Sequence, residues 1–231
     1  MKSIIDIGCG VGTWLKAWQD IKPNIRIFGI DGNDVDERLF YISQKDYYKR
    51  VDLRKNADEV FKIVCQDSGA KYEAKPFDLA ESLEVAEHLE AQYAKNFIDL
   101  LTKFSDIVLF SAAIPYQGGT DHFNEQPPKY WADLFSEFGY VCFDIRKNFW
   151  NNEKICFWYR QNLLLFVHQT KVHLLENKGL IPEEPLYIAH PKYMEIYFQK
   201  CQEKCQENPI RLYWRHPTRF MRDLVRFVKG V

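Results

Sequence analysis

The segment IIDIGCGVGTW, Ile4 to Trp14, sets an aliphatic run with one acid, Asp6, directly against three alternating glycines, Gly8, Gly10 and Gly12. Each glycine in an ordered element costs roughly 0.5–1 kcal/mol relative to alanine, so three together need a reason. A buried strand that turns through glycines into a helix supplies one. Something, ligand or neighbouring chain, has to come very close to the backbone there.

The alternation of strand and helix signals continues outward from this turn. IRIFGID (25–31), YYKRVDL (47–53), PFDLAES (76–82) and DIVLFSAAI (106–114) read as strands. TWLKAWQDI, NADEVFKIVCQD, AQYAKNFIDLLTKF and KYWADLFSEFGY read as the helices between and after them, with Gly139 stopping the last. YVCFDIR and NLLLFVHQ follow with no convincing helix between them, which predicts an antiparallel hairpin at the sheet edge. The expected fold is α/β: a doubly wound, mostly parallel seven-stranded sheet with that hairpin and a helical C-terminal extension. The composition shift near Pro182 suggests a main domain at 1–170 and an extension at 171–231.

A dinucleotide site would require G-x-G-x-x-G, but Thr13 occupies the third glycine position and Asp6 would repel a pyrophosphate. The register D-x-G-x-G-x-G instead resembles motif I of class I S-adenosylmethionine (AdoMet) methyltransferases. In that family an acid closes the second strand and an acid plus an apolar residue follow the third, matched here by Asp31 and by Asp52 with Leu53. The fourth strand, with Glu81, runs into AESLEVAEHLE, which also looks like the family's version. The resemblance covers residues 4–89. It implies a seven-stranded Rossmann-like fold and an AdoMet site at Asp6, Gly8, Gly10, Gly12, Asp31, Asp52, Leu53 and Glu81. Asp31 would take the ribose hydroxyls, Asp52 the adenine amino group, and Asp6 the amino group of the methionine part. The helix that usually precedes the first strand in this family has no counterpart, because the strand begins almost at Met1.

The acceptor is less legible. No N-P-P-Y signature follows the fourth strand, which argues for oxygen or carbon acceptors over nitrogen. Glu84, Glu87 and His88 form E-x-x-E-H, similar to the metal array of quinone-pathway O-methyltransferases and of small-RNA terminal 2′-O-methyltransferases. In the RNA enzymes a histidine after the fifth strand completes the site, and His122 stands in the corresponding loop. Two readings stay open. Either Glu84, Glu87, His88 and His122 hold Mg²⁺ or Mn²⁺, or the array only shapes the floor of the site and His122 is a catalytic general base.

The loop PYQGGTDHFNEQPPKYW (115–131) resembles that of methyltransferases in bacterial surface-polysaccharide pathways. It offers Asn124, Glu125 and Gln126 for sugar hydroxyls, with Asn124 and Glu125 alternatively capping the following helix, and Tyr116, Tyr130 and Trp131 for stacking. The resulting expectation is O-methylation of a sugar, nucleotide-sugar or lipid-linked glycan. The alternatives are a small-molecule or quinone-type enzyme, an RNA 2′-O-methyltransferase, and a non-catalytic AdoMet-fold module.

The net charge of −1 gives no whole-chain case for nucleic acid, and the 46% apolar content is that of an ordinary globular chain. No apolar run reaches membrane-spanning length and no leader pattern precedes the first strand. The six cysteines form no C-x-x-C pair, which suits reduced thiols in the cytoplasm. The last 23 residues carry Arg211, Arg215, Arg219, Arg222, Arg226 and Lys229 against Asp223 alone. That stripe predicts either a solvated helix face or a peripheral contact with an anionic membrane through 209–231.

Overall fold

The computed structural model describes residues 1–43, 47–69 and 75–207. The basic stripe at 209–231 lies outside these residues. Seven strands form one sheet in the order β3-β2-β1-β4-β5-β7-β6. They are β1 (Ser3–Ile7), β2 (Arg26–Asp31), β3 (Tyr48–Arg50), β4 (Leu79–Leu83), β5 (Ile107–Ser111), β6 (Tyr140–Phe143) and β7 (Leu164–His168). The first five pair in parallel, while β7 is antiparallel to both β5 and β6. β1 is buried at every position, as a central parallel strand covered on both faces must be.

Five helices flank the sheet: α1 (Thr13–Ile21), α2 (Ala57–Asp67), α3 (Ala94–Phe104), α4 (Pro128–Ser136) and α5 (Phe157–Asn162). Each longer helix owes its place to an apolar face; α3, for example, buries Phe97, Ile98, Leu100, Leu101 and Phe104. Asn56 starts α2 by accepting a hydrogen bond from the Asp58 amide, 2.9 Å away. Gly139 ends the α4 region at φ 79°, a conformation that favours glycine.

The edge pair is present, but its connection differs from the sequence expectation. It holds a 3₁₀ turn (Arg146–Asn148) and α5, six residues long and too short for helical periodicity to show in sequence. The buried Arg146 fastens this connection. Its guanidinium pairs with Asp144 and donates to the carbonyls of Gln161 (2.9 Å) and Leu186 (2.8 Å).

The compact unit runs from Met1 to Ile188, past the expected boundary at 170. The bonds from Arg146 to Leu186 and from the Glu183 amide to the Cys142 carbonyl (2.9 Å) account for the later limit. A short helix α6 (His173–Glu176) lies in this stretch. The second unit contains α7 (Pro191–Glu207). No helix among the described residues is long and apolar enough to cross a membrane. The described cysteines, Cys9, Cys65, Cys142, Cys156 and Cys201, are free.

Aromatic rings fill the core beneath β5 and β7. Phe135 and Phe166 stack with centroids 3.9 Å apart, and Phe110 meets Trp131, Phe135 and Phe166 at 5.3, 5.5 and 6.0 Å. Trp131 is therefore a core residue and is not available to stack on a ligand. Replacing Phe110 with Ala should leave a cavity between both helical and strand partners. We expect a loss of about 3–5 kcal/mol in urea unfolding monitored by tryptophan fluorescence.

Candidate functional site

A cleft of about 1140 Å³ opens where the parallel strands end. Its walls include Gly8 and Gly10 after β1, Asp31 closing β2, Asp52 and Leu53 beyond β3, and Glu84 and His88 after β4. Seven of the residues singled out from sequence thus converge on one cavity. Gly12, Asp6 and Glu81 do not line it.

The three glycines serve different ends. All have positive φ (88°, 51° and 78°), which other residues reach only at a cost. A Cβ on Gly8 would collide with the Val85 side chain, and one on Gly12 would meet Ile42 at 2.6 Å. At Gly10 no atom lies within 4 Å of a Cβ's place, so its bare backbone faces the cleft. Two glycines answer to packing, and the middle one leaves room for a ligand.

Asp31 is 5% exposed. Its Oδ2 accepts the Gly10 amide and its Oδ1 the Asn33 amide, both at 2.8 Å. With one backbone donor on each oxygen, a carboxylate keeps a further lone pair on each, the pattern a vicinal diol requires. Asp52 is held by Arg54, whose Nε and Nη2 reach its two oxygens at 2.9 Å; these bonds keep its carboxyl below the usual range.

Behind the glycine turn lie Asp6 and Glu81, opposite one another on β1 and β4 and 1% and 0% exposed. Trp18 Nε1 donates to Glu81 Oε2 at 2.9 Å, while Asp6 Oδ2 and Glu81 Oε1 have no partner among the described residues. Burial, then the charges of Glu81 and Asp31, drive the Asp6 pKa well upward. Burial likewise pushes Glu81 up to about 7. Such a pair stays uncharged in part because two ionised carboxylates cannot share a dry site cheaply.

The E-x-x-E-H array divides in two. Glu87, His88 and His122 place ligand-type atoms within 4.8 Å of one another. Glu87 is 0% exposed, neither of its oxygens has a hydrogen-bond partner among the described residues, and burial followed by the Glu84 charge raises it to about 8. His122 is brought to it by the loop, since the amides of Phe123 and Asn124 donate to the Glu87 carbonyl at 2.8 and 3.0 Å.

His88 Nδ1 lies 3.1 Å from the Asp121 carbonyl, and His122 Nδ1 lies 2.9 Å from Glu125 Oε1. A carbonyl or a carboxylate can only accept. In a neutral ring the proton therefore sits on Nδ1, which leaves Nε2 as the position open to a ligand. The fourth expected ligand, Glu84, is not in this group. Asn162 Nδ2 (3.0 Å) and Gln117 Nε2 (3.1 Å) hold its carboxylate instead.

Glu125 does not cap α4, whose first residue is preceded by Pro127 without a side-chain cap. It closes the loop by accepting the amides of Tyr116 and Gly118 as well as orienting His122. This support was not visible in sequence, where a glutamate three residues after a histidine has no distinctive pattern.

With this geometry in place, comparison with known proteins adds the lineage. The family model described as a methyltransferase domain matches residues 1–145 of the 231. The chain belongs to the methyltransferase-domain family. That is the family that motif I pointed to, and the seven-stranded sheet is the fold that the resemblance implied. A search of curated proteins found no match. Among solved structures, a SAM-dependent methyltransferase from Archaeoglobus fulgidus is 18% identical, with a TM-score of 0.46. That match covers 60% of this chain and 61% of the other, so the chain spans about three fifths of that protein. The methyltransferase domain of bacterial CtHen1 is 20% identical over 72% of this chain and 89% of its own, at a TM-score of 0.47. Human N-acetylserotonin methyltransferase is 13% identical over 72% and 47%, at 0.48.

The buried Glu81 yields a pH prediction. Its carboxyl keeps its proton to about pH 7 in the native methyltransferase, against 4.5 ordinarily. Between those values the folded state binds more protons than the unfolded one, so stability falls as pH rises. Thermal unfolding of Glu81→Gln should show a flatter decline than wild type between pH 5 and 7.5; parallel curves would count against a proton held at this site.

Proposed function

We propose that this methyltransferase transfers the AdoMet methyl group to a hydroxyl of a sugar-bearing acceptor, such as a glycan, a nucleotide-sugar or a lipid-linked sugar. A divalent ion, Mg²⁺ or Mn²⁺, would be held by Glu87, His88 and His122. The observation that carries this reading is the buried, unpartnered Glu87 carboxylate beside two imidazoles whose Nδ1 protons are already committed. Ionising a carboxyl so buried is costly, so burial and the Glu84 charge hold its pKa up to about 8, and a cation bound there would offset that cost and displace the proton. The donor set of one carboxylate and two imidazoles suits a first-row divalent ion such as Mn²⁺ better than Mg²⁺, which prefers oxygen ligands.

The cofactor fits the cleft residues. Asp31 has a lone pair left on each oxygen for the ribose diol, Gly10 bares its backbone, and Leu53 offers an apolar edge beside Asp52. Asp6 and Glu81 act from behind the turn, as a negative or proton-sharing floor beneath the methionine part, and Gly12 acts through its packing on Ile42. AdoMet supplies an electrophilic methyl group, and a metal-bound hydroxyl loses its proton more readily. The chain's own part is alignment: Glu125 fixes the tautomer and direction of His122, and the Glu87 carbonyl anchors the loop that carries it. Free, mostly buried cysteines suit a cytoplasmic setting.

A second reading, a ribose 2′-hydroxyl at an RNA end, gains from the histidine after β5 joining the E-x-x-E-H array. A terminal ribose and a glycan both present a diol, so the same trio serves either.

Two measurements test the reading. Asp31→Ala should weaken AdoMet binding at least tenfold by calorimetry, since charge-assisted bonds are worth ~1.5–3 kcal/mol each. Unchanged affinity would remove the cofactor from this cleft. Turnover should vanish in EDTA and return with one divalent metal, and Glu87→Ala and His122→Ala should share a defect that added metal does not relieve. Full activity in excess EDTA would leave His122 as a plain base.

A further inference from the structure

The metal trio leaves Glu84 without a task, yet the structure spends a good deal on it. Its backbone sits at φ 57°, a left-handed conformation that a glutamate adopts only under constraint. Its amide is held there by both the carbonyl (3.0 Å) and the hydroxyl (3.1 Å) of Ser111. Glu84 lines the cleft, so the constraint fixes a wall residue of the ligand space.

Two amides fix that carboxylate. Asn162 Nδ2 reaches Oε1 and Oε2 at 3.0 and 3.3 Å, and Gln117 Nε2 reaches Oε2 at 3.1 Å. Asn162 also donates to Gln117 Oε1 at 2.9 Å, and the fully buried Gln161 donates to both Gln117 and Asn162. The network is closed on its buried side. Beyond these bonds the Glu84 carboxylate keeps acceptor capacity, and Gln117 keeps a second amide hydrogen. A preset acceptor beside a preset donor is what a pair of neighbouring hydroxyls needs.

Aromatic rings stand beside it. Trp14, 38% exposed, opens α1 directly after the glycine turn and meets Tyr159 of α5 edge-on at 5.2 Å. Tyr159 in turn contacts Trp158 at 6.0 Å, and the Glu84 charge acts on its phenol. Tyr159 and Asn162 lie on α5, one turn apart, so a single short helix delivers both the ring and the amide. Flat apolar faces with a few fixed polar groups match a polyol ring, whose C–H faces are apolar and whose hydroxyls lie at the rim.

We propose that Glu84, Gln117 and Asn162, with the rings of Trp14 and Tyr159, form a subsite that binds a sugar ring of the acceptor. Glu84 is then an acceptor-positioning residue, distinct from the metal group. The sugar's place in methyl transfer rests on the proposed function above; the subsite itself does not.

The test uses the full chain with S-adenosylhomocysteine and Mn²⁺, probed by the methyl glycosides of glucose, galactose, mannose, N-acetylglucosamine and ribose. Saturation-transfer NMR and tryptophan fluorescence read sugar binding, and calorimetry reads S-adenosylhomocysteine and Mn²⁺. We expect at least one glycoside to bind wild type. Glu84→Gln and Tyr159→Ala should each weaken it at least tenfold, with melting temperature, S-adenosylhomocysteine and Mn²⁺ affinities changed less than twofold. Three results would overturn the subsite: no glycoside binding to wild type, equal binding by both variants, or loss of Mn²⁺ binding in Glu84→Gln, which would return Glu84 to the metal. Should Glu84→Gln unfold, Gln117→Ala takes its place under the same criteria. Sugar binding without S-adenosylhomocysteine binding would sink the cofactor reading and leave the subsite standing.

Discussion

Everything at the site depends on how closely the turn after β1 approaches the segment after β4. Val85 occupies the space that a Cβ on residue 8 would need, so only glycine lets the two strand ends close up. That contact sets Glu84, Glu87 and His88 against the glycine turn. A bulkier residue at position 8 would push β4's end outward, and the cleft would lose its shared wall. The glycine's entropic cost is repaid in geometry: the backbone face at Gly10 and the acidic array after β4 share one cavity.

The second constraint is electrostatic. Asp6, Asp31, Glu81, Glu84 and Glu87 gather at the carboxyl ends of three neighbouring strands, with little water to dilute their repulsion. The chain settles each differently. Asp31 takes backbone amides, Glu84 takes side-chain amides, and Glu81 shares one indole hydrogen. Asp6 and Glu87 retain oxygens without partners. Those two mark where the protein alone is electrostatically incomplete, one beneath the glycine turn and one beside the histidines. Burial raises the pKa of both, so these two acids hold protons where the others hold hydrogen bonds.

The sheet was readable because its signals are local and repeated. Buried parallel strands give continuous aliphatic runs, and amphipathic helices give a 3.6-residue period, so β1 to β5 and α1 to α4 stood out in order. α5 did not, because six residues hold less than two turns of periodicity. Cofactor-side residues were legible for a related reason: Gly10, Asp31, Asp52 and Leu53 each follow a strand at fixed spacing. Trp131 shows the opposite case. An aromatic pair next to a polar loop suggested a ligand platform, but Phe110 and the rest of the core claimed the indole. Sequence records that an aromatic is present and leaves open which side it faces.

The division of E-x-x-E-H was the least legible feature, and its physical origin is α5. Glu84, Glu87 and His88 are close enough in sequence to aim one way, and with His122 from the later loop the pattern favours a four-ligand array. Asn162 lies 78 positions away, yet it and Gln117 draw the Glu84 carboxylate out of that array. Glu125 meanwhile steers His122 into it. The result divides one short motif: Glu87 and His88 stand with His122, and Glu84 is held by Gln117 and by Asn162 of α5. A site that must align an acceptor oxygen with a methyl donor needs both a handle on the oxygen and a handle on the rest of the acceptor, because positional error of an ångström is costly in rate. The long connection between β6 and β7 is what carries Asn162 to Glu84: a tight turn there would leave that carboxylate without its amide from α5.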